Sequence, residues 1–268
     1  MNTIILSSNG MKLTARRTGR GVPVVLVHGS GGGLDSWDPV ASLLADEFEL
    51  WTYSRRGFPP SGDHLTLKTF ADDAADVAAV VGAVGDAPHL VGASYGATTA
   101  LHAARYGTTV MRSVTVFEPP LFAAGTSLAP VVDEYRAMVE QRRFAAAARL
   151  FAAKVARVPA ELLGAEPSEG GEPDGGDEAE AVGCLHDLEA MVGDDTDLDR
   201  WGAIDLPVML IQGERTWEPM PTTMDALAHA LPASTERVVL KGQSHFATHT
   251  APGLFAETLR GFLRGRSR

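Results

Sequence analysis

A pentapeptide, Gly92-Ala93-Ser94-Tyr95-Gly96, stands between a short strand-like run, Pro88 to Val91, and a small-residue run of helical period, Ser94 to Tyr106. A serine at a sharp strand-to-helix turn sits on a strained backbone that projects its hydroxyl outward. Small residues two before and two after it let strand and helix pass close together. Such a hydroxyl becomes a nucleophile for acyl transfer once a base takes its proton. The beginning of the helix offers backbone amides, above all that of Tyr95, to the negative charge that develops on an attacked carbonyl oxygen.

The rest of the chain supplies the frame. Apolar runs of strand length alternate with longer Ala-rich segments of helical period, the pattern of helices packed on a mostly parallel sheet. Thr3 to Ser8 and Lys12 to Thr18 read as an antiparallel hairpin about Asn9-Gly10, followed by a buried strand, Val22 to Val27. Further strands are expected at Glu49 to Tyr53, Pro88 to Val91, Ser113 to Phe117, Leu206 to Ile211 and Arg237 to Leu240. Helices are expected at Leu34 to Asp46, Lys68 to Val84, Ser94 to Tyr106, Thr222 to Ala230 and Pro252 to Leu263, with Asp72 and Asp73 suiting the start of the second.

The alternation breaks between Pro119 and Ala203, where helix-like segments occur without a convincing strand. The expected class is therefore α/β, an eight-stranded mostly parallel sheet flanked by helices. Residues 1–118 and 204–268 form its core, and 119–203 form a helical cap inserted after the sixth strand. Within the insertion, Gly164 to Glu180 is rich in Gly, Pro and Glu and reads as a mobile loop.

Composition narrows the partners. The 268 residues carry 34 Asp and Glu against 23 Lys and Arg, a formal charge of -11. Arg16-Arg17 and Arg55-Arg56 are too short to form the basic stripe that phosphate binding needs, so no nucleic acid partner is expected. A hydrophobic fraction of 45% suffices for one large core. The single cysteine, Cys184, excludes an internal disulfide, and no Cys/His cluster is spaced for structural zinc. Met1 to Gly10 has no basic segment leading into a long apolar one, and no apolar run approaches the roughly 20 residues that span a bilayer. These features lead to the expectation of a cytoplasmic protein with no membrane partner and no structural zinc. They are compatible with a homodimer.

Several motifs in order resemble those of the alpha/beta-hydrolase fold superfamily, over nearly the whole chain. His28-Gly29-Ser30-Gly31-Gly32-Gly33, directly after Val22 to Val27, is similar to the family's oxyanion loop. By that match the amides of Ser30 and Tyr95 are the two donors, and His28 is a structural anchor. Tyr53-Ser54-Arg55-Arg56-Gly57 resembles the family's Arg-Gly loop, which makes its arginines structural. The family places its base after the last strand, and there Gly242-Gln243-Ser244-His245-Phe246 offers His245. A neutral imidazole can take the serine proton and return it to a leaving group. His249 lies four residues further and could pair with His245 as a metal ligand, but no third ligand is evident. His64, His89, His102, His186 and His229 read as surface or helix-face residues.

The third member departs from the family pattern. The usual acid is an Asp three residues beyond a Gly after the strand matching Leu206 to Ile211, and here Gly213-Glu214-Arg215-Thr216 puts a threonine there. Either the triad is broken or the acid has moved. Glu118, in Phe117-Glu118-Pro119-Pro120 at the tip of the strand after the nucleophile helix, is the leading candidate, and Glu214 and Glu218 are the alternatives. Some family members resemble this chain in placing the acid at the Glu118 position.

The resemblance implies a hydrolase of a carboxylic ester, lactone or thioester of a small molecule, acting through an acyl-serine with no metal and no organic cofactor. Hydrolysis of a carbon-carbon bond is a close variant. A non-hydrolytic lyase, cyclase or small-molecule receptor on the same fold is the competing class. Trp37, Phe122, Trp217 and Phe246, with Tyr95, lie near active-site loops in sequence and are candidate substrate contacts.

Overall fold

A computed structural model describes residues 2–62, 67–163, 175–232 and 235–266, with only the backbone for 175–177. The chain runs through β1 (Asn2–Ser8), β2 (Met11–Gly19), β3 (Val22–Val27), α1 (Asp38–Ala41), β4 (Phe48–Tyr53), α2 (Phe70–Val84), β5 (His89–Ala93), α3 (Tyr95–Tyr106) and β6 (Ser113–Phe117). Helical segments then follow without a strand among the described residues. They are α4 (Ala129–Glu140), α5 (Phe144–Leu150), a π-helical turn (Phe151–Val155) and α6 (Gly175–Val192), joined by short 3-10 turns. The sheet resumes with β7 (Val208–Gly213), α7 (Met220–Ala230), β8 (Glu236–Leu240), α8 (Ala247–Thr250) and α9 (Pro252–Arg264).

The eight strands lie in the order β1-β2-β4-β3-β5-β6-β7-β8, antiparallel at β1/β2 and β2/β4 and parallel from there on. Asn9 and Gly10 turn the first hairpin at φ +49° and +80°, the left-handed pair that matches strand twist. Strand β3 is apolar on both faces because both are covered: Val25 and Val27 pack with Val77, Val80 and Leu101 on one side. Val24 and Leu26 pack with Trp37, Phe255 and Leu259 on the other. Helix α2 opens with a capping box, Asp72 N donating to Thr69 Oγ and Thr69 N to the Asp72 carboxylate. The inserted helices pack Tyr135, Leu150, Leu185 and Met191 in a further cluster that also takes in Phe58, Phe70 and Tyr95.

Two expectations for elements need correction. Of Leu34 to Asp46 only Asp38–Ala41 is α-helical. The flanking residues close tighter turns, such as Asp38 N to Asp35 O at 2.9 Å and Leu44 N to Ala41 O at 3.1 Å. Three glycines lead into this segment and Trp37 at its start gives no side-chain cap, so no longer helix is nucleated. The loop expected through Glu180 gives way to α6 from Gly175 onward. Glutamate and alanine are good helix formers, and Cys184, Leu188 and Met191, at intervals of four and three, bury one face against the other inserted helices. The rest of that expectation, residues 164–174, lies outside the described residues. None of the described helices is long and apolar enough to cross a membrane.

Candidate active site

Strand β5 delivers Ser94 at the carboxyl edge of the sheet with φ +54° and ψ −125°, a conformation that costs a non-glycine residue about 1–3 kcal/mol. The flanking glycines show why the turn is so tight. A Cβ on Gly92 would lie 2.1 Å from the Gly96 carbonyl oxygen, and one on Gly96 would lie 2.4 Å from that of Val27. Ser94 N donates to Phe117 O at 2.8 Å, which ties the turn to the end of the neighbouring strand β6.

The residue just after that strand is Glu118, fully buried and itself at φ +47°. Its Oε1 accepts from Gly213 N at 2.8 Å, and its Oε2 accepts from Thr216 Oγ1 at 3.0 Å and from His245 Nδ1 at 2.6 Å. Because Nδ1 donates to a carboxylate, Nε2 is left as the basic nitrogen of the neutral ring. The Phe117 ring stacks on the imidazole at 5.9 Å and 22°, so Ser94 and His245 flank the same residue. A Cβ on Gly213 would meet the Gln243 carbonyl oxygen at 2.6 Å, so a glycine lets the end of β7 and the histidine loop close around the carboxylate. Glu214 instead accepts from Gly242 N at 2.7 Å and Glu218 from Thr222 Oγ1 at 2.7 Å, both in solvent-exposed bonds.

The loop at 28–33 packs beside the serine: a Cβ on Gly29 would lie 3.1 Å from that of Ser94. His28 accepts from Arg55 N on Nε2 at 2.9 Å and donates from Nδ1 to Gly29 O at 2.7 Å. Burial, reinforced by the Arg55 guanidinium, lowers its pKa to about 3, so it is a neutral anchor. Arg55 also donates to the carbonyls of His28 and Gly29 and forms a bidentate pair with Asp187 of α6, at 2.9 and 2.7 Å. Asp187 completes the clamp by accepting from Ser30 Oγ at 2.6 Å and pairing with Lys68 at 2.6 Å. Burial alone would raise its carboxyl pKa, but Arg55 and Lys68 outweigh burial and hold it below the usual range. Lys68 reaches Asp73 at 3.2 Å, and Asp73 accepts from the Tyr95 hydroxyl at 2.7 Å, so one buried network of charges supports both Ser30 and Tyr95. Sequence reasoning missed Asp187 because it lies mid-helix in the insertion, 132 positions from Arg55, with no local motif.

The candidate contact residues divide. Trp217 meets the His245 ring at 6.2 Å and Phe246 at 5.8 Å, and its Nε1 donates to Ala156 O at 2.7 Å, which joins the loop after β7 to the inserted helices. Phe246 and Phe122 are 42% and 38% exposed, and Phe122 lies on the turn just after Glu118. Trp37 is not a substrate contact: it is 2% exposed and packs on Phe255, because α1 presses it into the core beneath α9.

His89 also differs from expectation. It points into the sheet core with Nδ1 2.7 Å from Ser113 Oγ, since on a strand buried on both faces every side chain is interior. His102 and His186 lie on helix faces but are buried, His229 is exposed, and His64 lies outside the described residues. Among the described residues, no three His, Cys, Asp or Glu side chains gather as metal ligands, around His249 or elsewhere.

Comparison with known proteins agrees with this frame. A family model described as the alpha/beta hydrolase family matches residues 24–258. An N-formylmaleamate deformylase of Pseudomonas putida (strain KT2440) is 33% identical over 129 residues, 47% of this chain, which spans about half (48%) of that relative. A solved alpha/beta hydrolase from Sphaerobacter thermophilus DSM 20745 superposes with a TM-score of 0.82 at 28% identity, covering 98% of this chain and all of the other. An enol-lactonase from Burkholderia xenovorans LB400 shares the fold, with a TM-score of 0.73 at 20% identity, 97% of this chain and 100% of the other being covered. With the family model covering most of the sheet and its crossovers, the chain belongs to the alpha/beta hydrolase family.

Proposed function

We propose that this chain is a serine hydrolase that cleaves a carboxylic ester, lactone or thioester of a small molecule through an acyl-Ser94 intermediate. The observation that carries the reading is the 2.6 Å bond from His245 Nδ1 to a buried Glu118, one strand from a serine held at φ +54°. Ser94 Oγ attacks the carbonyl carbon as its proton passes to His245 Nε2. Glu118 keeps the ring oriented and stabilises the imidazolium that forms. The oxyanion is received by the amides of Ser30 and Tyr95. Collapse of the tetrahedral species breaks the bond to the leaving group, which takes the proton from Nε2. Water then loses a proton to the same nitrogen, attacks the acyl-serine, and Ser94 recovers its hydrogen. These steps use protein groups and water alone.

Residues 119–203 serve in this reading as a cap over the carboxyl edge of the sheet. The bond from Trp217 to Ala156 and the clamp of Asp187 on Arg55 and Ser30 support that placement. The likeness to a deformylase favours a second reading in which the acyl carbon is bonded to nitrogen, with a protonated nitrogen group such as an amide as leaving group and the same residues in the same roles.

Mixing the protein with an activated ester, quenching in acid and locating the acyl mass on the Ser94 peptide tests the proposal. The adduct is expected in the wild type and absent in Ser94→Ala. Turnover without an adduct, undiminished in Ser94→Ala, would contradict it, and neither adduct nor turnover in the folded wild type would favour the non-hydrolytic roles open to this fold.

A further inference from the structure

We infer that Trp217 is a positioning residue for the base: its ring fixes the plane of the His245 imidazole, and its indole N–H makes that fit depend on the inserted helices being seated at Ala156. The inference rests on the acyl-serine reading and adds to it a means by which the insertion governs the proton transfers.

One hydrogen bond aims a ring and leaves it free to tilt. The bond from Nδ1 to Glu118 sets the direction of the imidazole, so neighbouring rings must fix its plane. Phe117, buried on β6, lies nearly parallel to it at 22°. Trp217 meets it at 62° with the centroids 6.2 Å apart, an edge-to-face contact. Phe246 is as near, at 6.1 Å, but is exposed and so is itself loosely held.

The loop that carries Trp217 is fastened to the histidine loop. Arg215 N donates to Gln243 O at 2.7 Å, Glu214 N to Leu240 O at 3.0 Å, and Met220 N to Trp217 O at 3.0 Å. Thr216, the preceding residue, donates to the Glu118 carboxylate. Two consecutive side chains thus hold the acid and the ring of the base.

The far side of the tryptophan shows why an indole is needed. Nε1 donates to Ala156 O at 2.7 Å, 61 positions earlier in the chain. Ala156 ends the π-helical turn Phe151–Val155, where carbonyl groups run out of helical partners. Arg157 turns the chain at φ +50° and Val158 N returns to Ala152 O at 2.9 Å, which leaves the Ala156 carbonyl to a donor outside the helix. Neither Phe nor Leu could supply that donor. Val155, beside it, is buried in the cluster of the inserted helices, so Ala156 keeps its place only while they keep theirs.

The test follows p-nitrophenyl acetate turnover and fluorophosphonate labelling of Ser94 in wild type, Trp217→Phe, Trp217→Leu, Arg157→Pro and the Trp217→Phe, Arg157→Pro double variant. Arg157 is exposed, and a proline there cannot take φ +50° and disfavours the helical conformation of Ala156, so it shifts the acceptor without touching the core. Trp217→Leu should lower kcat by about 10- to 100-fold with KM within about threefold of wild type. Trp217→Phe keeps a ring on His245 and loses the N–H, and should cost about fivefold in kcat. Arg157→Pro should cost about as much, and the double variant should fall no more than about twofold below the lower single, because both break the same bond. Maximal labelling rates should fall in step with kcat. Wild-type kcat in Trp217→Leu, or a raised KM at unchanged kcat, would overturn the inference, the latter making Trp217 a substrate contact. Losses that multiply in the double variant would overturn the dependence on Ala156, and this cycle decides even where Trp217→Leu does not fold. Absence of labelling at Ser94 in the folded wild type would overturn the acyl-serine reading first.

Discussion

Thr216 donates to Glu118 Oε2 at 3.0 Å, and the same oxygen accepts from His245 Nδ1 at 2.6 Å. The threonine that occupies the position where related hydrolases usually keep an Asp is thus a hydrogen-bond donor to the carboxylate one strand away. In the proposed triad the two positions exchange tasks. The β6 tip carries the charge, and the β7 loop supplies its Thr216 hydroxyl and the Gly213 amide to hold it.

This arrangement separates three variants. Glu118→Gln keeps the shape and removes the charge, and kcat should fall by about 10³ to 10⁴. Thr216→Val removes one bond to a charged acceptor and should cost about tenfold. Glu118→Gln combined with Thr216→Asp returns a carboxylate to within reach of His245 and should recover at least about tenfold over Glu118→Gln alone. Steady-state kinetics on one activated ester measures all three, and a Thr216→Asp combination no better than the single variant would contradict the exchange.

Glu214 and Glu218 make exposed bonds to Gly242 N and Thr222 Oγ1. Glu214→Gln and Glu218→Gln should each leave kcat within about threefold of wild type. A large loss in either, with Glu118→Gln silent, would move the acid to the β7 loop.

The sheet was legible because its strands are short apolar runs punctuated by Gly, Pro and Asn, and the elbow because Gly92 and Gly96 are required by contacts of 2.1 and 2.4 Å. Ser94, His245 and Glu118 were singled out by motifs that resemble the family's and by their places after strands, and the structure sets Glu118 against His245, one strand from Ser94. Asp187 was invisible, since a helix interior gives no sign that one carboxylate turns inward to meet Arg55, Lys68 and Ser30. Trp37 misled for the opposite reason: nearness in sequence to the oxyanion loop does not say which side of the sheet a ring will face.

Asp187 therefore yields its own expectation. Asp187→Asn leaves the buried Arg55 and Lys68 short of one negative charge, and stability should fall by about 3–5 kcal/mol. The loosened Ser30 should also lower kcat by about 10- to 100-fold with a smaller change in KM. Urea denaturation and kinetics at a temperature where the variant is folded check the two effects separately. A variant with wild-type kcat would show that the clamp is structural only.

Stability should depend on pH through the buried imidazoles. Burial, then Arg55, sets His28 at about 3, and burial, then Arg112 and Arg266, sets His89 at about 4. An unfolded chain protonates both near 6.5, so it binds more protons than the native state below that pH, and stability falls as pH drops from about 6.5 toward 4. Urea denaturation at pH 7 and at steps down to 4.5 should report uptake of about two protons from these groups, and His89→Gln should remove about one of them. Stability independent of pH over this range would contradict the burial of neutral rings.

The most direct test of the central claim is the rate at which a fluorophosphonate labels Ser94 in folded wild type, Glu118→Gln and His245→Ala. Rapid labelling confined to Ser94, slowed by at least about 10²-fold in Glu118→Gln and abolished in His245→Ala, is the result that a serine activated through His245 and a displaced Glu118 requires. Equal rates in wild type and Glu118→Gln, or no labelling of the folded wild type, would contradict it.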